Sequence, residues 1–491
     1  MVNKCLHPGK EERMRITNFG GNVSFTPRHW YAPRNEAEVL DLLNKHAGAK
    51  IRVVASLHSW SDVAASEDVV VDMRNFDSVE IAETGDGEVS VTAGSGCGLQ
   101  RLLDIIHGAT DSTLPSLGAI KEQKIAGAIS TATHGSGKHS LSHYMDELRM
   151  AAYDADTGGA RIYEWKDGTE LRAGRCSLGC MGILLSIKFR CVPKYYVAES
   201  VARYETLEDA LAQEDEFPLQ QFTLIPYLWS YFVYHRRTTM TRPPWWASWR
   251  VYLDRAYKLI GVDIMFHLIV KALVASSHWG GPGIVRWFYQ ELFPAFIVQN
   301  QTVVDFSENV LTLKHHYFKH EEMEIFIPAR HIREAVELVR HATSLFAGTS
   351  ETTPDGVASK LRTVEMLDTL MRYRGSYTHH YPIFFRRVLP DDTLISMTSN
   401  SNEPYYTISF FTYLKPKTRT QFYEFAGFLA RSLTRLYDAR LHWGKYYPLT
   451  NAEIEGVYPR LKEFRQTCQK TDPNGVFRNE YTERVLGFVD G

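Results

Sequence analysis

Ala55-Ser56-Leu57-His58-Ser59-Trp60-Ser61-Asp62 follows directly on Ile51-Arg-Val-Val-Ala55, a run of β-type residues. Small and hydroxyl-bearing residues at the end of a strand let backbone N–H groups close on a diphosphate. Two turns of like character lie downstream. The second opens at Leu117-Gly118-Ala119 and runs through Ile125-Ala126-Gly127 to Ser130-Thr131-Ala132-Thr133-His134-Gly135-Ser136-Gly137. The third is Ser177-Leu178-Gly179-Cys180-Met181-Gly182-Ile183. None carries the Gly-x-Gly-x-x-Gly dinucleotide fingerprint or the Lys-Ser/Thr of a P-loop. Taken singly, each is an ordinary turn. Their order and spacing carry the argument.

Around the first turn, Val69-Val-Val-Asp-Met73 and Val89-Ser-Val-Thr-Ala93 read as further strands, and Glu36 to Ala47 has the apolar spacing of a helix. Short strands with irregularly inserted helices predict an α+β fold, not a doubly wound parallel sheet. At 491 residues the chain exceeds what one core supports, so two domains are expected. The character changes around Cys191-Val-Pro-Lys194, and the boundary is placed there. The second half is rich in Trp and Tyr, as in Pro243-Pro244-Trp245-Trp246 and His278-Trp279-Gly280-Gly281. Further along, Glu322 to Pro328 reads as a strand, Ile332 to Phe346 as a helix and 349–358 as a loop. Strands follow at Tyr381–Arg387 and Tyr406–Leu414, then a long amphipathic helix from about Thr418 to Tyr437.

A net charge of −2 gives no basic footprint, so nucleic acid is not an expected partner. The six cysteines are scattered and read as reduced thiols; Cys176 and Cys180 lack the second pair a zinc site needs, and no metal is expected. The first residues have no apolar leader segment. The most apolar stretch, Lys258 to Ala275, is broken by Asp263, His267 and Lys271 and falls short of a span of about 20 residues. A cytoplasmic enzyme is expected, with peripheral membrane contact through this region left open.

With the three turns, Ile16-Thr-Asn-Phe-Gly-Gly-Asn-Val-Ser24, Met323-Glu-Ile-Phe-Ile-Pro328 and Leu441-His442-Trp443-Gly444-Lys445, the chain resembles the vanillyl-alcohol oxidase and p-cresol methylhydroxylase superfamily of flavoproteins. Within it the likeness is to aldonolactone oxidoreductases and alditol oxidases. The resemblance covers nearly the whole chain, with 225–315 the least alike. It implies an FAD domain of the p-cresol methylhydroxylase type at 1–195, a substrate-binding cap domain on an antiparallel sheet at 196–438, and a segment 439–491 returning to the FAD domain. The family writes the first turn Gly-Ser-Gly-His-Ser, with the His bonded to a flavin ring methyl. His58 takes that place beside Ser56 and Ser59, while Ala55 and Leu57 stand where the family has glycines. The Thr-His-Gly stretch carries no Cys, so a single linkage to FAD is implied. Gly118, Ala119, Gly127, Ser130, Thr133 and His134 would follow the pyrophosphate and flavin edge; Gly179, Gly182 and the backbone of Ile183 would meet the adenine side. In relatives Gly at position 118 goes with access of oxygen to the flavin, and Ala with its exclusion.

Alcohol oxidation needs a hydride acceptor, a way to take the hydroxyl proton and positive charge near the ring carbonyl. The resemblance gives Lys445, with His442 before it, and Arg386 to these tasks. Arg386, Val388 and Asp391 fit the family's Glu-x-Arg register, with Phe384 in place of the Glu. On the strand Ser409 to Tyr413, Phe410 takes the place of a family His, and Thr412 is kept. Loss of a carboxylate and an imidazole removes hydrogen bonds that a polyol would need, and two Phe suit a flatter or more apolar ligand. The expectation is an FAD-dependent oxidase of a CH–OH group in a sugar-like substrate (polyol, aldonolactone, glycoside or nucleoside), with O2 as acceptor and hydrogen peroxide as product. The Phe pair shifts the balance toward a nucleoside, glycoside or aromatic alcohol. Rival readings are a dehydrogenase passing electrons to a quinone or cytochrome, and a flavin-retaining module without catalysis.

Overall fold

Valine-rich runs make the first sheet. In the computed structural model, Ile51–Val54 and His29–Tyr31 flank Val69–Asp72, all parallel. Helix Glu36–Lys45 lays Val39, Leu42 and Leu43 on Ile51, Val69 and Val71. Asn35 caps it, accepting from the Glu38 amide at 2.9 Å, a contact that contributes about 1 kcal/mol. The structure describes residues 14–83, 85, 87–242, 248–280, 283–312, 319–413 and 416–488. The amino-terminal residues read for a leader, Cys5, the run Pro243 to Trp246 and Gly281 lie outside them. The five described cysteines are free thiols.

The second sheet is antiparallel, in the order Ala160–Trp165, Met145–Tyr153, Ile183–Arg190, Val89–Gly94, Val79–Glu83. Its Ala151, Tyr153, Ile183 and Leu185 join the cluster under helix Glu36–Lys45. Among the named strands of the described residues, parallel pairing joins these three short ones, and the fold is α+β, as expected.

A third, fully antiparallel sheet begins at Tyr196. Its eight strands run Val303–Phe306, Tyr196–Tyr204, Tyr231–Thr239, Gln221–Leu224, Ile383–Val388, Tyr405–Tyr413, His320–Pro328 and Arg440–Leu441. One face is covered by helices Ile332–Phe346 and Pro416–Tyr437, where Phe222, Phe385, Ile408 and Phe410 meet Phe425 and Leu429. The other face turns toward the first two sheets. From Arg440–Leu441 the chain crosses back: the Ile51 amide donates to Val476 O at 2.8 Å, and Asn479 Nδ2 to Asp62 O at 2.9 Å.

One local expectation is corrected. The loop read at 349–358 is cut short by helix Asp355–Thr363, whose Val357, Ala358 and Leu361 are buried at helical spacing. The apolar stretch from Lys258 belongs to a longer helical run, Ser248–Tyr257, a π-helical Lys258–Phe266 and His267–Gly280.

Candidate active site

The turn after Ile51–Val54 is sewn to the returning segment. The Trp60 amide and Ser59 Oγ donate to Gly444 O at 2.8 and 3.0 Å, and Ser61 Oγ donates to Trp443 O at 2.7 Å. Leu57 holds φ at +56°, the left-handed conformation that favours the glycine it replaces. Ala132 and Leu178, in the other two turns, also hold left-handed φ of 56° and 52°. Such backbone costs about 1–3 kcal/mol per residue and persists where the surroundings over-determine it, as at ligand clamps. The His58 ring stacks on Phe19 with centroids 5.0 Å apart.

One cleft joins the three turns. Ala55, Ser56, Leu57, His58 and Ser59 line it from the first, Ala119, Gly127, Ser130, Thr133 and His134 from the second, and Leu178, Gly179 and Gly182 from the third. Gly179 and Gly182 hold φ of +71° and +145°, and a Cβ on Gly182 would stand 2.5 Å from Ala151 O. Arg52, buried beneath, donates to the carbonyls of Leu178 and Phe477, fixing the third turn to the returning segment. A long groove of glycine, hydroxyl and backbone donors fits an extended dinucleotide such as FAD. Gly118 stands back from it, behind Thr133, whose Cγ2 a Cβ at 118 would meet at 2.4 Å. Ile183, expected to offer only its backbone, is buried.

At the far end the large sheet presents charge. Strand His320–Pro328 places Glu322 and Glu324 on its cleft-facing side. Lys445 forms an ion pair with Glu322 and sits 4.5 Å from the Trp60 ring centroid. Around Glu324 Oε1 stand His134 Nε2 at 3.4 Å, Ser409 Oγ at 3.1 Å and Arg386 Nη1 at 3.9 Å. Arg386 is held from behind by Gln221 Oε1, which accepts from its Nε at 3.2 Å. Burial disfavours charge on Glu324, yet His134 foremost, with Lys445, holds its carboxyl well below the usual range. Burial, joined by Glu324, raises Glu322 against the pull of Lys445. Burial drops the His442 imidazole to about 3, so the ring is neutral and its Nδ1 accepts from the Gly444 amide at 3.1 Å. His134, Glu324 and His442 offer ligand-type atoms within 4.8 Å of one another, a grouping the sequence did not suggest.

Phe384 and Phe410 do not share a face. Side chains alternate along a strand, so a slip of one residue exchanges the two faces. Register pairs Phe384 with Ser409, and Ser409 with Glu324, on the cleft side. Phe410 and Thr412 point the other way, Phe410 against His379 and Phe425 and Thr412 beside Tyr377. The expected pocket roles of Phe410 and Thr412 are therefore withdrawn. Phe411 takes the aromatic place, 5.4 Å from Phe384 and 5.3 Å from Tyr381, and Ser409 supplies the hydroxyl. Sequence reading also missed Glu322 and Glu324, although three acids, Glu321, Glu322 and Glu324, crowded into the first half of a strand with an apolar second half were a visible signal.

Fold and site together define a class, the FAD-dependent oxidoreductases acting on CH–OH donors, within the vanillyl-alcohol oxidase and p-cresol methylhydroxylase superfamily. Residues 27–156 match an FAD binding domain, and residues 187–485 match D-arabinono-1,4-lactone oxidase. The chain belongs to the D-arabinono-1,4-lactone oxidase family. A long-chain alcohol oxidase of an uncultured marine euryarchaeote is 40% identical over 470 residues, 96% of each chain. The L-gulonolactone oxidase of Bos taurus is 24% identical over 96% of this chain and 98% of its own. A cholesterol oxidase from Brevibacterium sterolicum superposes with a TM-score of 0.71 at 14% identity, covering 96% of each chain, a likeness of fold.

Proposed function

We propose that the protein is an FAD-dependent oxidase of an alcohol carried on a long or flat apolar group, with O2 as acceptor. The observation that carries this reading is the meeting, on one sheet face, of the Glu324 cluster with the aromatic wall of Phe384, Phe411 and Tyr381. The 40% identity to a long-chain alcohol oxidase supports the same substrate class. When bound, FAD supplies the hydride acceptor. In this reading Arg386 and Ser409 hold the carbinol oxygen, and the pair of His134 and the Glu324 carboxylate receives its proton. Lys445 keeps positive charge in the cleft, and the aromatic wall takes the rest of the substrate and excludes water. The test is oxygen uptake and peroxide formation over a panel of primary alcohols, sterols, alditols and aldonolactones, with a dye acceptor in parallel. Turnover restricted to alditols and lactones sinks the substrate reading, and turnover with dye alone sinks the oxidase reading.

The single covalent link through His58 is part of the proposal. Protein denatured in acid is expected to stay yellow, with flavin recovered on the peptide that holds His58. Free FAD in the supernatant of wild-type protein counts against it. His58→Ala should still bind FAD reversibly, because the groove offers mostly backbone contacts.

Oxygen access is proposed to pass by Gly118. Gly118→Ala should slow reoxidation and leave reduction by alcohol intact. Since the added methyl runs into Thr133, the double variant Gly118→Ala/Thr133→Ser relieves the clash while keeping the methyl. Reoxidation as fast as wild type in the double variant removes this role.

A further inference from the structure

Twelve of the fifteen large apolar side chains exposed among the described residues fall between Met240 and Val298. Trp249, Tyr252, Leu253 and Ile260 recur at helical spacing along the run that starts at Ser248, each more than half exposed. Trp287 and Phe296 on the returning segment are exposed to the same degree. Isolated exposed apolar residues are ordinary, but a concentration of this size marks a contact surface.

Charge says which surface. From Arg236 to Val298 eight Arg and Lys stand against three acids, and four of the eight, Arg236, Arg237, Arg255 and Lys258, are taken up in ion pairs with Glu199, Glu216, Asp305 and Asp254. Arg242, Arg250 and Lys271 are exposed within it, and Arg250 lies over the Trp249 ring at 5.4 Å. Among the described residues no helix is long and apolar enough to cross a membrane. Basic residues, tryptophan and leucine exposed along one helical run suit the plane of an anionic bilayer.

The inner face of the same run reaches the candidate active site. Phe266, Val270 and Val274 pack against Tyr381 and Tyr413, and His267 Nδ1 lies 2.8 Å from the Tyr413 hydroxyl. Tyr381 in turn touches Phe411 of the aromatic wall.

We propose that the helical run Ser248–Gly280, with the segment from Gly283 to Val298, docks in the interface of an anionic lipid bilayer and admits apolar alcohol to the cleft from that side. The second half of this statement rests on the substrate reading above; the first does not.

The FAD-loaded wild-type protein is expected to co-sediment with vesicles of phosphatidylcholine and phosphatidylglycerol, less with phosphatidylcholine alone, and less as salt rises. Leu253→Glu/Ile260→Glu/Leu268→Glu, all at exposed positions, should weaken binding to the mixed vesicles by about tenfold or more. This variant should oxidise a short soluble alcohol as wild type does, yet lose activity on a long-chain alcohol dissolved in the vesicles. Arg242→Glu/Arg250→Glu leaves the apolar stripe intact and should abolish the preference for anionic lipid. Absence of wild-type vesicle binding, or equal binding by the triple variant, overturns the docking. So does a wild-type dimer that the triple variant dissolves in sedimentation velocity, since the face then belongs to a second copy. Vesicle binding that the variants lose, in a protein oxidising no long-chain alcohol, keeps the docking and overturns the substrate reading.

Discussion

Glu324→Gln is expected to slow flavin reduction by alcohol by about 10²–10⁴-fold, the range associated with losing organised acid–base chemistry. The carboxylate sits where His134, Ser409 and Arg386 converge, so the amide removes the charge that orders all three. Rapid mixing without oxygen reads the effect directly, apart from the reoxidation step. A stability measurement adds a sign that can be checked. The folded carboxyl lies well below its ordinary value, with His134 the leading cause that lowers it. Its contribution is therefore present above the unfolded value of about 4.3 and is lost as pH falls through the folded one. Wild type should lose its advantage over Glu324→Gln as the solution is acidified. A constant difference across that window would mean that Glu324 is not held as charge.

Lys445→Met should lower alcohol-dependent reduction by about 10²–10³-fold, as when a single electrostatic donor is removed from a reaction centre. The variant has a second consequence, because it strands Glu322. Breaking one side of a buried pair costs about 3–5 kcal/mol. Burial already raises Glu322, so the stranded group will take up a proton. Lys445→Met/Glu322→Gln separates the two effects: stability should recover while reduction stays slow. Recovery of both would make Lys445 a structural partner of Glu322.

The three turns were legible in the sequence because glycine and hydroxyl residues there obey local backbone rules, and the cleft joins all three. Helix Ile332–Phe346 was read with its observed bounds because its apolar spacing is long and regular. Register was harder. Phe410 and Phe411 are adjacent, and local pattern gives either of them to the cleft when both faces of a strand are buried; only pairing with Glu324 through Ser409 decides. Glu322 and Glu324 were passed over for a related reason. Their strand is buried along its whole length, so the acids gain meaning only from Lys445 and His134, which arrive from distant parts of the chain. Leu57 looked like a departure from the turn, yet the backbone keeps the left-handed conformation without the glycine.

The most direct measurement is anaerobic bleaching of the enzyme-bound flavin, followed while alcohols of rising chain length are added, with an alditol and an aldonolactone alongside. Bleaching is expected to become faster and to saturate at lower concentration as the apolar part lengthens, with a clear loss of that dependence in Phe384→Ser/Phe411→Ser. Bleaching by the alditol or the lactone ahead of every long-chain alcohol would contradict that expectation.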